Sequence, residues 1–73
     1  MAKKGSGTVY RVTEVIGTSE SSWEDAARNA VSTAASTLRD LRIAEIEKLD
    51  VKIEDGKVTQ FRARLALSFK YEG

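Results

Sequence analysis

The clearest pattern in the chain is a strict alternation of apolar and polar residues near its end. One set of alternate positions is mainly apolar: Thr59, Phe61, Ala63, Leu65, Leu67, Phe69 and Tyr71. The positions between them are mainly polar: Val58, Gln60, Arg62, Arg64, Ala66, Ser68 and Lys70. Because successive side chains of a strand point to opposite faces of its sheet, this period of two predicts a long strand over residues 58–71.

Two further segments of the chain predict strands. Residues 9–16 are rich in β-branched and aromatic side chains, and we expect Gly17 to end this first strand. Residues 43–53 predict a second strand, although their alternation is imperfect and both of its faces could be partly buried. Asp55-Gly56 follows it, and this pair favours a two-residue hairpin turn because both residues tolerate a positive φ. The second and third strands are therefore predicted to form an antiparallel hairpin.

The segment between the first two predicted strands has helical spacing. Its apolar residues fall at positions 23, 26, 27, 30, 31, 34, 38 and 41, as on one face of a helix. Ser21 with Glu24 fits a capping box, and Ser22 with Asp25 offers an alternative one residue later. We predict a helix over residues 21–38 that could extend to 41. Its apolar face is mainly alanine, which lets a helix lie close to a sheet.

The predicted elements differ in length. Fourteen strand residues span roughly 46 Å, whereas an 18-residue helix spans about 27 Å. One helix cannot cover the apolar face of so long a strand, so the rest of that face must contact another chain. We predict an α+β fold with β-α-β-β order, in which one helix packs on a three-stranded antiparallel sheet. Residues 1–7 are expected to be a flexible tail, and residues 8–73 the single domain.

Composition strengthens the expectation of an oligomer. A domain of 73 residues is near the lower limit of independent stability. The chain has no cysteine for disulfides and no histidine, the commonest metal ligand and general base. An enzyme is therefore the least favoured function. A net charge of +1, from 12 basic and 11 acidic residues, argues against nucleic-acid binding. No apolar run approaches a membrane span or a signal peptide, so we expect a cytoplasmic protein without membrane partners.

Charged residues provide the first candidate site. Three basic residues share one face of the third predicted strand: Arg62, Arg64 and Lys70. They could bind an anion, or they could pair across strands with the acidic residues of the second strand: Glu45, Glu47 and Asp50. The same acidic residues could bind Ca²⁺ or Mg²⁺, which take several oxygen ligands. One hairpin offers too few oxygens, but a symmetric assembly multiplies them.

Trp23 is the only tryptophan in the chain. It could stack on a planar ligand, but we favour a role as an apolar anchor, because it shares the helical face of Ala26, Ala27 and Ala30. The serines at positions 19, 21 and 22 are interpreted as helix caps rather than nucleophiles.

Three stretches of the sequence together resemble the dodecin family: Val-Ile-Gly-Thr-Ser at 15–19, Ser-Trp-Glu-Asp-Ala-Ala at 22–27, and Leu-Ser-Phe-Lys at 67–70. The similarity extends over about residues 8–72. Dodecins are small β-α-β-β proteins that assemble as hollow homo-dodecamers, and many bind pairs of flavins between subunits. The resemblance thus implies that the partner of this chain is itself.

Two positions depart from the flavin-binding pattern of that family. Ile43 stands where flavin-binding dodecins have a stacking tryptophan, and Arg62 stands where they have a glutamine that holds the flavin edge. Isoleucine has no π face, and arginine has only hydrogen-bond donors. The sequence is more similar to the calcium dodecin branch, which shares the Ser-Trp-Glu helix start. The candidate cofactor positions are Ile43, Glu45 and Arg62, and the candidate metal ligands are Glu45, Glu47 and Asp50.

These observations favour a non-enzymatic assembly that binds or stores a small ligand, has lost the usual flavin site and could bind Ca²⁺. One alternative is a dodecin that binds riboflavin or FMN with altered pocket chemistry, in which Arg62 pairs with a flavin phosphate. Another is a structural shell without a specific ligand.

Overall fold

The computed structural model of the chain describes residues 7–70. The elements are β1 (Tyr10–Ser19), α1 (Trp23–Ala35), β2 (Leu41–Glu54) and β3 (Lys57–Lys70). The strands form one antiparallel sheet in the order β1-β3-β2, which confirms the predicted α+β fold with β-α-β-β order. Of the predicted tail, residues 1–6 lie outside the described residues, as do residues 71–73 with Tyr71 of the predicted third strand.

β3 is the central strand, and its alternation divides the sheet into two faces. Ala63, Leu65 and Leu67 are buried on the side that carries the helix, which we call the helix face. The small side chains Ala26, Ala30 and Ala34 of α1 pack on them and complete the core. The opposite side, which carries Arg62, Arg64 and Ala66 of β3, we call the outer face. The predicted close approach of an alanine-lined helix to the long strand is confirmed.

β1 continues past Gly17 to Ser19, so the prediction that Gly17 ends the strand is wrong. Gly17 lies opposite Ala63 on the helix face and is buried. A Cβ atom at this position would lie 2.0 Å from the backbone oxygen of Ala26 and 2.8 Å from Cβ of Ala30. Glycine is therefore required because the helix backbone crosses the strand here. In this strand the glycine permits a close backbone approach and does not end the strand.

α1 ends at Ala35, earlier than the predicted end at residue 38. The hydroxyls of Ser36 and Thr37 donate to the backbone carbonyls of Thr33 and Ala34, at 2.6 and 3.3 Å. Such bonds compete with the main-chain bonds that would continue a helix. Asp40 then adopts a φ of 56°, which turns the chain into β2.

The helix begins at Trp23, and the second of the two predicted caps is the one used. The Ser22 hydroxyl accepts a hydrogen bond from the Asp25 N–H at 3.0 Å. We expect Ser22→Ala to lower the free energy of unfolding by about 1 kcal/mol, because an N–H of the first turn loses its acceptor. Ser21→Ala is the matched control and should change stability by less than half as much. Equal losses in chemical denaturation would contradict this assignment of the cap.

β2 is longer than the predicted residues 43–53, and its irregular alternation has a structural cause. The register with β3 shifts between Leu41 and Ile43 and again between Ile46 and Lys48. The second shift places Ala44, Ile46 and Leu49 on the helix face, although their sequence spacing breaks the period of two. The predicted hairpin turn is confirmed, with φ values of 52° at Asp55 and 74° at Gly56.

The helix leaves β2 largely uncovered. It packs on β1 and β3 and barely reaches β2, so Ile46 and Leu49 on the helix face are 51% and 49% exposed. The chain extends over 60 × 21 × 16 Å with a radius of gyration of 15.8 Å, against about 11 Å for a compact chain of this length.

Within residues 7–70, no helix is both long enough and apolar enough to cross a membrane.

Candidate functional site

The outer face of the sheet carries the candidate site residues. Residues that pair directly across antiparallel strands point to the same face, and Ile43 lies opposite Ser68, Glu45 opposite Ala66, and Asp50 opposite Arg62. The polar positions of β3 therefore form a central row, with the candidate residues of β2 beside it.

Asp50 and Arg62 form a two-point ion pair across the strands. The Arg62 Nε donates to Asp50 Oδ1 at 2.7 Å, and its Nη2 donates to Oδ2 at 3.0 Å. This geometry matches the planar guanidinium to both carboxylate oxygens. The hydrogen bond from Arg62 lowers the pKa of Asp50, and the nearby positive charges of Arg62, Arg64 and Lys48 add to this effect. Cross-strand pairing, one of the two predicted uses of Arg62, is thus confirmed.

The lowered pKa of Asp50 gives a measurable pH dependence. A carboxylate with a depressed pKa in the folded state contributes stability above its ordinary pKa and loses that contribution as the pH falls through the folded value. NMR titration should therefore show Asp50 titrating below its ordinary range, and Arg62→Gln should move the midpoint upward. Arg28→Gln is the control, because that arginine pairs with Asp25 instead. An unchanged Asp50 midpoint in the Arg62 variant would contradict this assignment.

Ile43 and Arg62 do not meet within one chain. Ile43 lies opposite Ser68, and Ser68 is six residues from Arg62 along β3, which is roughly 20 Å. Ile43 is 55% exposed, and both oxygens of Asp50 engage the Arg62 guanidinium. A pocket that uses both positions would therefore require residues from another chain.

The three basic residues of the predicted anion site do not gather either. Arg62 is paired with Asp50, and Lys70 lies eight residues away along β3, roughly 26 Å. Arg64 has an apolar neighbour, Ile16, on one side and a basic neighbour, Lys48, on the other. Arg62, Arg64 and Lys70 therefore do not converge on one point of the outer face.

The acidic residues include one that the sequence interpretation missed. Glu14 of β1 lies opposite Ala66, with Glu45 of β2 on the other side of that alanine. A side-chain hydrogen bond with Glu14 raises the pKa of Glu47, and burial and the negative charges of Glu14 and Glu45 act in the same direction. The only sequence signal for Glu14 was its parity in β1, which places it on the same face as Val12 and Ile16.

These carboxylates do not form a metal centre within one chain. Across residues 7–70, no group of three or more His, Cys, Asp or Glu side chains is arranged to hold a metal ion. Glu14 and Glu47 contact each other, whereas Asp50 is engaged by Arg62. The carboxylate oxygens suit Ca²⁺ in type, but not in number, since this ion takes six to eight oxygen ligands.

Trp23 anchors the start of α1 to the sheet. Its indole N–H donates to the backbone carbonyl of Asp50 at 3.0 Å. Its ring meets Phe61 edge to face, with centroids 5.2 Å apart and planes at 78°. Both contacts support the interpretation of Trp23 as an anchor.

An apolar groove lies between α1 and the uncovered part of β2. Its lining comes from both elements and from β3: Ala27, Arg28, Val31, Ser32, Ala44, Ile46 and Leu65. The groove exists because α1 barely reaches β2, which leaves Ala44 and Ile46 uncovered on the helix face.

The chain is similar to known proteins over most of its length. The Dodecin family model matches residues 9–72. Calcium dodecin of Mycobacterium tuberculosis is 42% identical over 64 residues, which cover 86% of this chain and 89% of the relative. The structure of dodecin from Streptomyces coelicolor superposes with a TM-score of 0.86 at 44% identity, covering 93% of this chain and 97% of that chain.

The solved structure of the calcium dodecin of Mycobacterium tuberculosis, described as calcium chelating with a calcium-binding site, has a TM-score of 0.78 at 40% identity. The superposition covers 88% of this chain and 91% of the calcium dodecin chain. The family model extends over nearly all of the described residues, and these relatives match along most of their length. The chain therefore belongs to the dodecin family.

Proposed function

We propose that this chain is one subunit of a hollow homo-dodecamer that binds or stores a small ligand and catalyses no reaction. The observation that carries the assembly is the uncovered apolar surface of β2: Ile43 on the outer face, and Ile46 and Leu49 on the helix face, are each about half exposed. Exposed apolar side chains that lie together, as Ile46 and Leu49 do, mark an interaction site, and a long open edge strand needs protection. In a closed assembly, other copies of the same chain would cover the apolar side chains and protect the edge strand.

We propose further that the ligand is a divalent cation such as Ca²⁺ rather than a flavin. Ile43 offers no ring for stacking on a flavin, and the Arg62 guanidinium is held by Asp50. The similarity to a protein named calcium dodecin supports a cation. Glu45, Glu47 and Glu14 provide carboxylate oxygens on the outer face, whereas Asp50 is the weakest of the predicted ligands because both its oxygens accept from Arg62.

Symmetry supplies the oxygen ligands that one chain lacks. A carboxylate close to a threefold axis is present three times, so one glutamate from each of three subunits could provide up to six oxygens. Glu47 and Glu14 hold each other in a contact between two acids, and a bound cation would replace repulsion between their charged forms by attraction.

Native mass spectrometry of gently purified protein tests both parts of this proposal. We expect about twelve subunits, with bound Ca²⁺ after calcium is added and no retained flavin. Titration calorimetry should show calcium binding that weakens in Glu47→Gln and stays unchanged in the control Glu54→Gln, at the far end of the same strand. A monomer would contradict the assembly. A yellow protein, or quenching of added riboflavin fluorescence, would contradict the ligand, and binding of neither would favour a structural shell.

A further inference from the structure

We propose that the Asp55-Gly56 turn is a site of spontaneous covalent modification, at which the Asp55 carboxyl reacts with the Gly56 amide and leaves an isoaspartyl linkage in the main chain. This pair is the only Asp-Gly in the chain, and the sequence has no Asn-Gly. The reaction needs only this turn and water, so it is independent of the proposed ligand and assembly.

The turn stands apart from the rest of the fold. β1 ends at Ser19, which lies opposite Phe61 of β3, so the two-stranded part of the hairpin continues for four residues of β3 beyond it, roughly 13 Å. A pair of strands without further cover is marginally stable, and the register of this pair shifts between Lys52 and Ile53. We therefore expect the tip of the hairpin to open more readily than the three-stranded part of the sheet.

The reacting groups of the turn are exposed and have no other partner. Within residues 7–70, the Asp55 carboxylate takes part in no ion pair or side-chain hydrogen bond, although Glu54 beside it pairs with Lys52 at 3.6 Å. The Gly56 N–H donates no hydrogen bond in the same part of the chain. Glycine also has no side chain to hinder the approach of a carboxyl group to its nitrogen, and no atom lies within 4 Å of a Cβ built there.

The reaction is a condensation followed by a hydrolysis. The Gly56 nitrogen bonds to Cγ of Asp55 and loses its proton, while the protonated carboxyl loses its hydroxyl, so that one water leaves and a succinimide ring forms. Water then adds to the ring and breaks one of its C–N bonds. Where the bond to the main-chain carbon of Asp55 breaks, Gly56 stays attached through Cγ and the main-chain carbon becomes a carboxylate. The product has the mass and the charge of the original chain.

The folded turn slows this reaction. Ring closure requires the Asp55 carboxyl to lie over the Gly56 nitrogen, whereas the φ values of 52° and 74° belong to the closed two-residue turn. Glu54 and Lys57 lie directly opposite each other and hold the turn closed. We expect ring closure when this pair opens, so the rate in the folded chain follows the fraction of time for which the tip is open.

An isoaspartyl linkage changes the hairpin locally. The main chain gains one atom between Asp55 and Gly56, because it then passes through Cβ and Cγ of the aspartate. A two-residue turn has a fixed length and twist, so the additional atom should break the pairing of Glu54 with Lys57. Hydrogen exchange of the Lys57 amide should become faster in the modified chain, while the amides of the three-stranded part keep their protection.

Incubation of the purified, folded protein at neutral pH in water enriched in heavy oxygen tests this proposal. Each hydrolysis of the ring adds one heavy oxygen, and peptide mass spectrometry locates it. We expect the label to accumulate in the peptide that contains Asp55, together with a second chromatographic form of that peptide. Asp40-Leu41 and Asp50-Val51 are matched controls within the same molecule and should stay unlabelled, because the larger following residue hinders ring closure.

Asp55→Glu retains the charge, but its longer side chain would close a larger and less favoured ring. This variant should lose both the label and the second form of the peptide, and circular dichroism checks that it remains folded. Denaturant should raise the rate in the unmodified sequence, because it opens the hairpin. Label that enters Asp55 no faster than Asp40 or Asp50 in the folded protein would overturn the proposal, as would labelling that occurs only after the chain is unfolded.

Discussion

Gly17→Ala is expected to lower the free energy of unfolding by about 3 kcal/mol, the upper range for added atoms in a packed interior. The new Cβ would lie 2.0 Å from the backbone oxygen of Ala26 and 2.8 Å from Cβ of Ala30. A backbone oxygen cannot rotate away as a side chain can, so the whole first half of α1 must move off the sheet. Urea unfolding followed by Trp23 fluorescence measures the loss, at one fixed subunit concentration because assembly shifts apparent stability.

Gly7→Ala is the matched control for this substitution. No atom lies within 4 Å of a Cβ built at Gly7, so we expect a change of less than about 0.5 kcal/mol. Equal unfolding midpoints for the two variants would show that α1 does not lie as close to β1 as the buried contact at Gly17 requires.

Gly17 also shows where prediction from sequence stops. A glycine after a run of β-branched residues resembles a strand end, because the local sequence carries no record of what crosses the strand. The requirement for glycine comes from Ala26, which is brought there by the return of the helix across the sheet. The third strand and the Asp55-Gly56 turn were predictable because their signals, a period of two and tolerance of positive φ, are local.

The end of α1 and the path of β2 were mispredicted for related reasons. Leu38 and Leu41 continue the helical spacing, but Leu38 packs on the core from the turn after the helix, and Leu41 opens β2. Spacing alone cannot distinguish a further helical turn from a loop that returns to the same core. The register shift after Ile46 likewise depends on pairing with β3 rather than on any residue of β2 alone.

Part of the outer face could be predicted from the sequence. The sequence predicted that the basic residues of the third strand could pair with Glu45, Glu47 and Asp50 of the second, and the structure joins Arg62 to Asp50 in a two-point ion pair. The contact of Glu14 with Glu47 was not predictable, because these residues lie on the two outer strands, β1 and β2, and meet across β3. The strand order β1-β3-β2 therefore determines that Glu14 lies near Glu45 and Glu47 on the outer face.

Ile46→Asp is expected to weaken assembly by about a hundredfold or more while leaving the subunit folded. Ile46 is 51% exposed in the chain and lines the apolar groove beside α1. In an isolated subunit the aspartate would reach water, but in the assembly it would be buried without a partner, at a cost of several kcal/mol. Each 1.4 kcal/mol corresponds to a tenfold change in affinity. Light scattering over a dilution series measures the loss, and circular dichroism monitors the fold.

Ile46→Val retains the apolar character of the groove and should assemble nearly as well as the unmodified chain. The size of the oligomer that remains in the Ile46→Asp variant is also informative, because a hollow shell needs more than one kind of contact between copies. Ile46 lies on the helix face, opposite Leu65. If another surface of the chain also contacts a second copy, Ile46→Asp should leave smaller oligomers rather than monomers alone. Full assembly of Ile46→Asp would instead show that the groove faces solvent within the shell.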